Sequence, residues 1–366
     1  MERGLVARES DLPYRAIPAA AIRGRGPLAM ARNGLTLLRG AVSAHRLLGE
    51  LRPLAILGTG GYVCVPLFVA ARLRGIPAAV YLPDVVPGLA VRLLARLSRA
   101  VACNVPDALA YFGGAGRGAK FVVTGYPVRR ELFAQDRAAC RAAFGLLADV
   151  PVLLVYGGSR GARSINRAVA ALLPTLLPLA QIVHVCGREG DAAALRATAA
   201  GLPAALRARY HLFEYLHSGG QAGLAGNATG AATGATMGAA TGEMQASMLS
   251  ALGAADLTIC RSGASTLGEL PAARLPAVLV PYPFVHQDEN ADYLVRHGAA
   301  VKLGDGTLLG AGDAADGPLA QAAIRLLRDP AALAAMAERS ASLALPDAAE
   351  RLAELMMMLA DRRARQ

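Results

Sequence analysis

The chain has 366 residues, of which 54% are hydrophobic and 18% are charged, and this composition excludes a disordered or fibrous protein. Lysine and arginine number 38 against 27 acidic residues, so the net charge of +11 favours anionic partners such as nucleic acids, phosphate-bearing ligands or acidic membranes. Prolines interrupt the longest apolar runs, which excludes a transmembrane helix, and the charged first eleven residues do not resemble a signal peptide. We therefore expect a cytoplasmic protein, with its five scattered cysteines as buried thiols.

Short apolar runs flanked by glycine alternate with amphipathic segments, which predicts βαβ units in parallel, doubly wound α/β sheets. The predicted strands are 55–57, 78–82, 121–123, 152–156, 181–185, 257–259 and 277–280. The predicted helices are 66–74, 88–98, 164–175, 192–199, 266–273 and 289–297.

A charged stretch at residues 133–150 interrupts this pattern, so we expect two domains. The first is residues 1–132, joined by a C-terminal helix at 346–366, and the second is residues 133–345. Residues 218–242 contain only small or uncharged side chains, which predicts a flexible insertion in the second domain.

Two glycine-rich motifs belong to the first half of the chain. Gly58, Gly60 and Gly61 follow the first predicted strand and precede Tyr62, but the third glycine of a dinucleotide-binding fingerprint is lacking. This departure disfavours a dinucleotide-dependent oxidoreductase. The second motif, at 125–129, ends in an arginine suited to a phosphate.

The strand at 152–156 leads through the glycine turn 157–162 into a helix. Free N–H groups and the helix dipole make such a turn a cradle for anions, and Ser159 adds a hydroxyl donor. The alternative is that the glycines only allow the helix to pack closely on the sheet.

A second turn of this kind follows the strand at 257–259. Ser265 or Thr266 can cap the next helix, and the alternative is that the turn binds an anion. Glu269 either complements the helix dipole or accepts hydrogen bonds from the vicinal hydroxyls of a sugar. His286 and Gln287, at the start of a later helix, either bind a sugar or cap that helix.

Missing motifs exclude several enzyme classes. The chain has no Asp-x-Asp pair and no histidine or cysteine cluster with metal spacing, so we expect neither a metal nor another cofactor. It also lacks the Gly-x-Ser-x-Gly and Walker motifs of esterases and P-loop enzymes. Aromatic residues are only 5% and do not alternate with the arginines, so we expect no nucleic-acid partner.

Together, several ordered motifs closely resemble the MurG family of glycosyltransferases. The matching segments are 58–63, 125–129, 157–162, 260–269, 286–291 and 346–351. The resemblance implies a GT-B fold of two Rossmann-like domains. It also implies inverting transfer of N-acetylglucosamine from UDP-N-acetylglucosamine to lipid I, which forms lipid II at the cytoplasmic face of the membrane without a metal.

The resemblance also implies a donor site in the second domain. It places Arg129 and Ser159 at the diphosphate, the N–H groups of the helix start at the phosphate nearest the sugar, and Glu269 at the ribose. The helix-start residues are Ala264, Ser265, Thr266 and Leu267. His286 and Gln287 would contact the transferred sugar, and Leu216 matches a uracil-contacting position.

The chain departs from the family in three places. It begins after the position of the family's Gly-Gly-Thr-Gly-Gly-His loop, whose histidine is the candidate general base, so no catalytic residue is assigned. Residues 81–84 replace the common His-Glu-Gln-Asn, with Asp84 in the asparagine place on the acceptor side beside the loop of Gly58, Gly60, Gly61 and Tyr62. The insertion 218–242 is the third departure. The alternatives are a start further upstream, a related transferase for another lipid, or an inactive protein that binds UDP-sugar or lipid.

Residues 1–46 combine eight arginines with only three acidic residues, Glu2, Glu9 and Asp11. Apolar residues in the same segment predict a patch that docks on anionic lipid, and the alternative is an ordinary amphipathic helix packed on the sheet. These apolar residues are Leu28, Ala29, Met30, Leu35, Leu37 and Leu38.

Overall fold

The computed structural model describes residues 6, 10–20, 26–113, 120–158, 160–188, 191–217 and 245–365, with the backbone alone for residues 27–31. The contacts divide the chain into two compact units, Met1–Thr124 with Ala349–Gln366, and Gly125–Ala348. This division falls a few residues before the predicted boundary at 132/133. The predicted insertion 218–242 lies outside the described residues.

The first unit contains a parallel sheet whose described strands lie side by side in chain order. The strands are β1 (Ile56–Gly58), β2 (Ala78–Leu82), β3 (Ala100–Cys103) and β4 (Phe121–Val123). The helices are α1 (Pro27–Leu51), α2 (Cys64–Leu73), α3 (Leu89–Leu97) and, after the second unit, α13 (Ala348–Ala364). Every residue of β2 and β3 is buried, as expected for small apolar strands that are covered on both faces.

The second unit contains a larger parallel sheet with the strand order β10-β9-β8-β5-β6-β7. The strands are β5 (Val152–Tyr156), β6 (Gln181–Val185), β7 (Tyr210–Phe213), β8 (Leu257–Cys260), β9 (Ala277–Leu279) and β10 (Ala300–Lys302). The helices are α4 (Arg137–Ala142), α5 (Arg163–Leu176), α6 (Ala192–Ala200), α7 (Ala204–Arg207), α8 (Met248–Ala254), α9 (Thr266–Ala272), α10 (Asp288–Arg296), α11 (Pro318–Leu327) and α12 (Pro330–Ala341).

The main core of the second unit lies on one face of this sheet. Apolar side chains of α5 recur at helical spacing, so Ile165, Val169, Leu172 and Leu176 are all completely buried. They belong to one cluster with alternate strand residues, such as those of β5 and β8, and with the buried face of α11. Burial of this apolar face fixes α5 on the sheet, and its N-terminus is thereby held at the carboxyl end of β5.

The predicted strands and helices are all present, with ends within about two residues of the prediction. Three short strands, β3, β7 and β10, were not predicted, and neither were helices α4, α7, α8, α11 and α12. A hydrophobic period cannot be recognised in strands of three or four residues, so β3, β7 and β10 were missed, although β1, β4, β8 and β9 are equally short and were predicted. No helix in the described ranges is both long enough and apolar enough to cross a membrane.

Candidate functional site

The strand order of the second unit has a reversal between β5 and β8. These strands are neighbours in the sheet, but the chain proceeds from β5 towards one edge and from β8 towards the other. In open parallel sheets, ligands bind in the crevice at the carboxyl ends of the strands where the order reverses. The predicted anion-binding turns 157–162 and 260–266 leave the sheet at this point, so the fold brings them together.

The turn after β5 is packed so closely that its glycines are required. A Cβ atom on Gly157 would overlap Ala162, and one on Gly161 (φ +88°) would overlap the Cys186 carbonyl of the turn after β6. A Cβ atom on Gly187, which also belongs to the turn after β6, would overlap the backbone of Gly161. Close packing within this turn, and against the turn after β6, therefore requires Gly157 and Gly161. Ser159, predicted at the diphosphate, lies outside the described residues.

The turn after β8 offers two backbone donors to a ligand. The N–H groups of Thr266 and Leu267 already donate to the carbonyls of Gly263 and Ala264, at 3.1 and 3.2 Å. The N–H groups of Ala264 and Ser265 have no backbone acceptor within the described chain. Ser265 makes no side-chain capping bond to α9, and the Thr266 hydroxyl instead donates to the Gly263 carbonyl at 2.6 Å. Of the four predicted phosphate donors, two are thus engaged within the turn.

Gln287 is fixed against the turn after β8 by a network of buried polar groups. The Ser262 hydroxyl donates to the Gln287 carbonyl at 2.8 Å, and the Asn290 side-chain amide donates to the Ser262 carbonyl at 3.1 Å. The Gln287 Oε1 atom accepts a hydrogen bond from the Tyr282 N–H at 2.9 Å. Its Nε2 donor lies on the side of Gly263, so Gln287 can present an amide donor towards the turn.

Arg261 joins four segments at the same edge of the sheet. Its guanidinium contacts the Asp305 carboxylate at 2.6 Å and the Ser164 hydroxyl, in the first turn of α5, at 2.9 Å. The same group donates to the carbonyls of Val280 and Pro281 at 3.1 and 3.2 Å, at the start of the loop that carries His286 and Gln287. Because these are charge-assisted bonds to mostly buried partners, Arg261 fixes the positions of these segments relative to one another.

Glu269, the predicted ribose ligand, lies in the first turn of α9. Burial raises the pKa of its carboxyl group, and a hydrogen bond with the Ser265 hydroxyl opposes that shift. Tyr156, the last residue of β5, has a buried hydroxyl. Burial raises the pKa of this hydroxyl, and the charges of Cys260 and Glu269 raise it further. The structure therefore places the only carboxylate among the predicted donor contacts next to the junction of β5 and β8.

His286 is separated from this network. Its side chain is exposed, and Nδ1 lies 3.8 Å from the Glu289 carboxylate. Gln287 is the N-cap residue of α10 but makes no side-chain capping bond, so the capping alternative is not realised. Of the two predicted sugar contacts, Gln287 is the one that the structure brings to the turn after β8.

Arg129 and Leu216 are the two remaining predicted donor contacts. A Cβ atom on Gly268 of α9 would lie 2.5 Å from Tyr126, so the 125–129 segment runs beside the start of that helix. Arg129 is exposed and lies directly before the 3-10 helix Arg130–Ala134.

Leu216 follows β7 and is buried, at 8% exposure, and Tyr215 precedes it in the chain. The Arg188 guanidinium covers the Tyr215 ring at 4.0 Å.

The predicted acceptor residues belong to the first unit. Gly60 and Gly61 have positive φ angles of +97° and +77°, which permit the tight turn after β1, and the Cys64 thiol donates to the Gly60 carbonyl at 2.8 Å. A Cβ atom on Gly58 would press on Phe68. Tyr62 follows in this turn.

Asp84 follows β2, and β1 and β2 are parallel neighbours, so the two predicted acceptor segments share one sheet edge. The Asn104 amide, after β3, donates to the Pro83 carbonyl at 2.8 Å and supports the Asp84 loop.

Several contributing residues were not assigned from the sequence: Tyr156, Arg261, Ser262, Asn290 and Asn104. The hydrogen-bond partners of Arg261, Ser262, Asn290 and Asn104 lie between 19 and 97 residues away along the chain, and no local pattern signals such contacts. Within the described ranges, no group of three or more histidine, cysteine or acidic side chains could hold a metal ion.

Comparisons with known proteins identify the family. The C-terminal domain of glycosyltransferase family 28 matches residues 239–352, and the N-terminal domain of that family matches residues 1–103. A protein of Roseiflexus sp. (strain RS-1) is 58% identical, over 99% of this chain and 82% of its own length. A protein of Desulforudis audaxviator is 35% identical, over 98% of this chain and 88% of its own length.

Both relatives are named UDP-N-acetylglucosamine--N-acetylmuramyl-(pentapeptide) pyrophosphoryl-undecaprenol N-acetylglucosamine transferase. The crystal structure of Acinetobacter baumannii MurG matches with a TM-score of 0.68 and 26% identity, over 98% of this chain and 88% of that one. The predicted GT-B fold and the predicted family are thereby confirmed. The chain belongs to the MurG family of glycosyltransferases.

Proposed function

We propose that the chain transfers N-acetylglucosamine from UDP-N-acetylglucosamine to lipid I and so forms lipid II for peptidoglycan synthesis. The observation that carries this proposal is the 58% identity, over almost the whole chain, to a relative named for this reaction. The second unit contributes the geometry of a nucleotide site, with two glycine-containing turns at the reversal of strand order.

The donor is held in the second unit. The diphosphate lies at the turns after β5 and β8, where the N–H groups of Ala264 and Ser265, the N-terminus of α5 and Arg129 supply positive potential. Glu269 accepts hydrogen bonds from the ribose, Gln287 contacts the sugar, and Leu216 lies at the uracil. The carboxylate and the amide are each fixed by neighbours before the donor arrives, which lowers the entropic cost of binding.

The chemical step is displacement of UDP by the 4-hydroxyl group of the muramoyl sugar, with inversion at the anomeric carbon. Negative charge develops on the departing diphosphate, and preorganised N–H donors with Arg129 stabilise it without a metal ion. Gly58, Gly60, Gly61, Tyr62 and Asp84 contribute to the acceptor side.

Binding to an anionic membrane surface belongs to the same proposal, because lipid I is embedded in the membrane. Leu35, Leu38 and Val42 lie on one side of α1 at helical spacing and are 49%, 62% and 47% exposed. Arg32 and Arg39 are exposed on the same helix, so apolar and cationic groups occur together. Such a helix suits peripheral docking at the cytoplasmic face. Leu37 is half-buried, and the side chains of Leu28, Ala29 and Met30 lie outside the described residues.

A turnover assay tests the proposed reaction. The purified chain is incubated with UDP-N-acetylglucosamine and lipid I, and UDP release and the lipid product are measured together. Formation of lipid II is the expected result. Release of UDP only with a different lipid acceptor, or binding of UDP-sugar without any turnover by a folded chain, would contradict it.

Vesicle sedimentation tests the membrane surface separately. We expect binding to vesicles that contain anionic phosphatidylglycerol and weaker binding by Leu38→Ser or Arg39→Glu. Equal binding of the wild type and both variants would contradict a role for α1.

A further inference from the structure

A network of buried polar side chains joins β7, β6 and α5 in the second unit. The Tyr210 hydroxyl lies 2.8 Å from the His184 Nδ1 atom, and the His184 Nε2 atom lies 3.0 Å from the Asn166 Oδ1 atom. His184 is completely buried, and Asn166 is 1% exposed. Burial of polar side chains is unfavourable unless they are hydrogen-bonded, so such a network in a sheet of otherwise apolar strands requires an explanation.

The amide nitrogen of Asn166 forms the other end of this network. It donates to the Cys186 carbonyl at 2.9 Å and to the Asp191 carboxylate at 2.7 Å. Because a carbonyl can only accept, these contacts fix the orientation of the amide and leave Oδ1 as the acceptor for His184. The His184 Nε2 atom is therefore a donor.

The protonation of His184 then fixes the direction of every bond in the network. Burial lowers the pKa of His184 to about 3, so near neutral pH the ring is uncharged and carries one proton. With that proton on Nε2, the Nδ1 atom accepts a hydrogen bond from the Tyr210 hydroxyl. The donors all point the same way, from Tyr210 through His184 and Asn166 to the turn after β6, and aligned hydrogen bonds strengthen one another.

The carbonyl at the end of the network packs on the turn predicted to bind the diphosphate. The Cys186 carbonyl oxygen is the atom that a Cβ atom on Gly161 would overlap, and Gly187 lies against the backbone of Gly161. Asn166 belongs to α5, which begins directly after that turn. The Asn166 amide thus ties the turn after β6 to α5, and the turn after β6 supports the turn after β5 from the side.

We propose that Asn166 is a positioning residue for the donor's diphosphate: its hydrogen bond to the Cys186 carbonyl holds the turn after β6 against Gly161 and thereby fixes the anion-binding turn 157–162. His184, held by Tyr210, orients the Asn166 amide for this bond. The inference rests on the proposed function, which places the diphosphate at that turn. The role is indirect, because the Asn166 side chain is buried among protein groups.

Competition calorimetry with UDP and with uridine, which lacks the phosphates, tests the inference. Asn166→Asp keeps the size of the side chain and an acceptor for His184, but it places a second oxygen opposite the Cys186 carbonyl. We expect UDP to bind this variant about 5- to 20-fold more weakly, while the affinity for uridine changes less than about twofold. Thr258→Val is the matched control, because it removes another completely buried hydrogen bond of the sheet, from Thr258 to the Leu154 carbonyl at 2.9 Å, and it should leave the preference for UDP unchanged.

The two ligands also separate the possible failures. If the wild type binds UDP no more tightly than uridine, the diphosphate site of the proposed function is wrong, and the inference fails with it. If the wild type prefers UDP and Asn166→Asp keeps that preference, or if Thr258→Val reduces it equally, only the role of Asn166 is overturned.

A measurement on the wild type guards against loss of folding in the variant. The chain contains six histidines, whose ring nitrogens can be labelled with ¹⁵N, and the His184 signals are assigned by their absence in His184→Gln. We expect a neutral His184 ring with its proton on Nε2, unchanged between about pH 8 and about pH 5, where exposed histidines become charged. A ring with its proton on Nδ1, or with protons on both nitrogens in this range, would overturn the inference.

Discussion

Replacement of Arg261 by methionine tests whether the turns of the candidate site are held by one cation. The Arg261 side chain is 13% exposed and its partner Asp305 is 22% exposed. Removal of one partner from a fully buried ion pair costs about 3–5 kcal/mol, because the other charge is left uncompensated. Partial exposure of Asp305 and its remaining bond to Ser164 reduce this cost, so we expect a loss of about 2–4 kcal/mol in the free energy of unfolding.

Arg274→Met is the matched control, because Arg274 forms an ion pair with Glu338 in which both side chains are more than half exposed. Exposed pairs contribute about 0–1 kcal/mol, so this variant should be close to wild type. Urea unfolding measures both variants, and calorimetry with UDP measures the site. Arg261→Met should also weaken UDP binding, because Val280 and Pro281 lose the group that holds their carbonyls. Equal unfolding free energies for the two variants would refute the reasoning.

Three further predictions concern the second unit. Burial lowers the pKa of His184 from 6.5 to about 3, so the unfolded chain takes up a proton before the folded one. Stability should fall as the pH drops from 6.5 towards 3, by up to about 1.4 kcal/mol per pH unit, and His184→Gln should flatten this part of the curve in pH-dependent unfolding. Gly161→Ala should lower stability and UDP affinity far more than Gly158→Ala. Both glycines have a positive φ, but a Cβ atom on Gly161 would overlap the Cys186 carbonyl, whereas one on Gly158 would meet open space. Similar melting temperatures of the two variants would contradict this packing argument. Leu172→Ala, at a completely buried site, should cost about 2–5 kcal/mol in urea unfolding, whereas Leu147→Ala, at 54% exposure, should cost less than about 0.5 kcal/mol; equal losses would contradict the assigned core.

The longer elements could be predicted because their signals are local. The run 152–156 is continuously apolar and followed by glycine, and the spacing from Ile165 to Leu176 is helical, so periodicity identifies both. Strands of three or four residues were predicted in some places, such as β1 and β4, and missed in others, namely β3, β7 and β10. For such strands, pairing with neighbours decides the conformation, and pairing is not visible in one sequence.

The candidate site could be predicted in its outline but not in its contacts. The glycine turns identified the edge of the sheet, and the motifs identified the family. The sequence treated His286 and Gln287 alike, whereas the fold binds Gln287 to Ser262 and Tyr282 and leaves His286 at the surface. The motif also predicted four N–H donors from Ala264 to Leu267, although those of Thr266 and Leu267 donate to carbonyl groups of the turn itself. Such details depend on turn geometry and on partners distant in the chain.

The account depends most on a nucleotide diphosphate bound at the reversal of strand order in the second unit. A crystal structure with UDP, grown without divalent cations, tests this directly. We expect the diphosphate at the carboxyl ends of β5 and β8, within hydrogen-bond distance of the Ala264 and Ser265 N–H groups. A diphosphate bound elsewhere on the chain, or bound only after a divalent cation is added, would contradict the account.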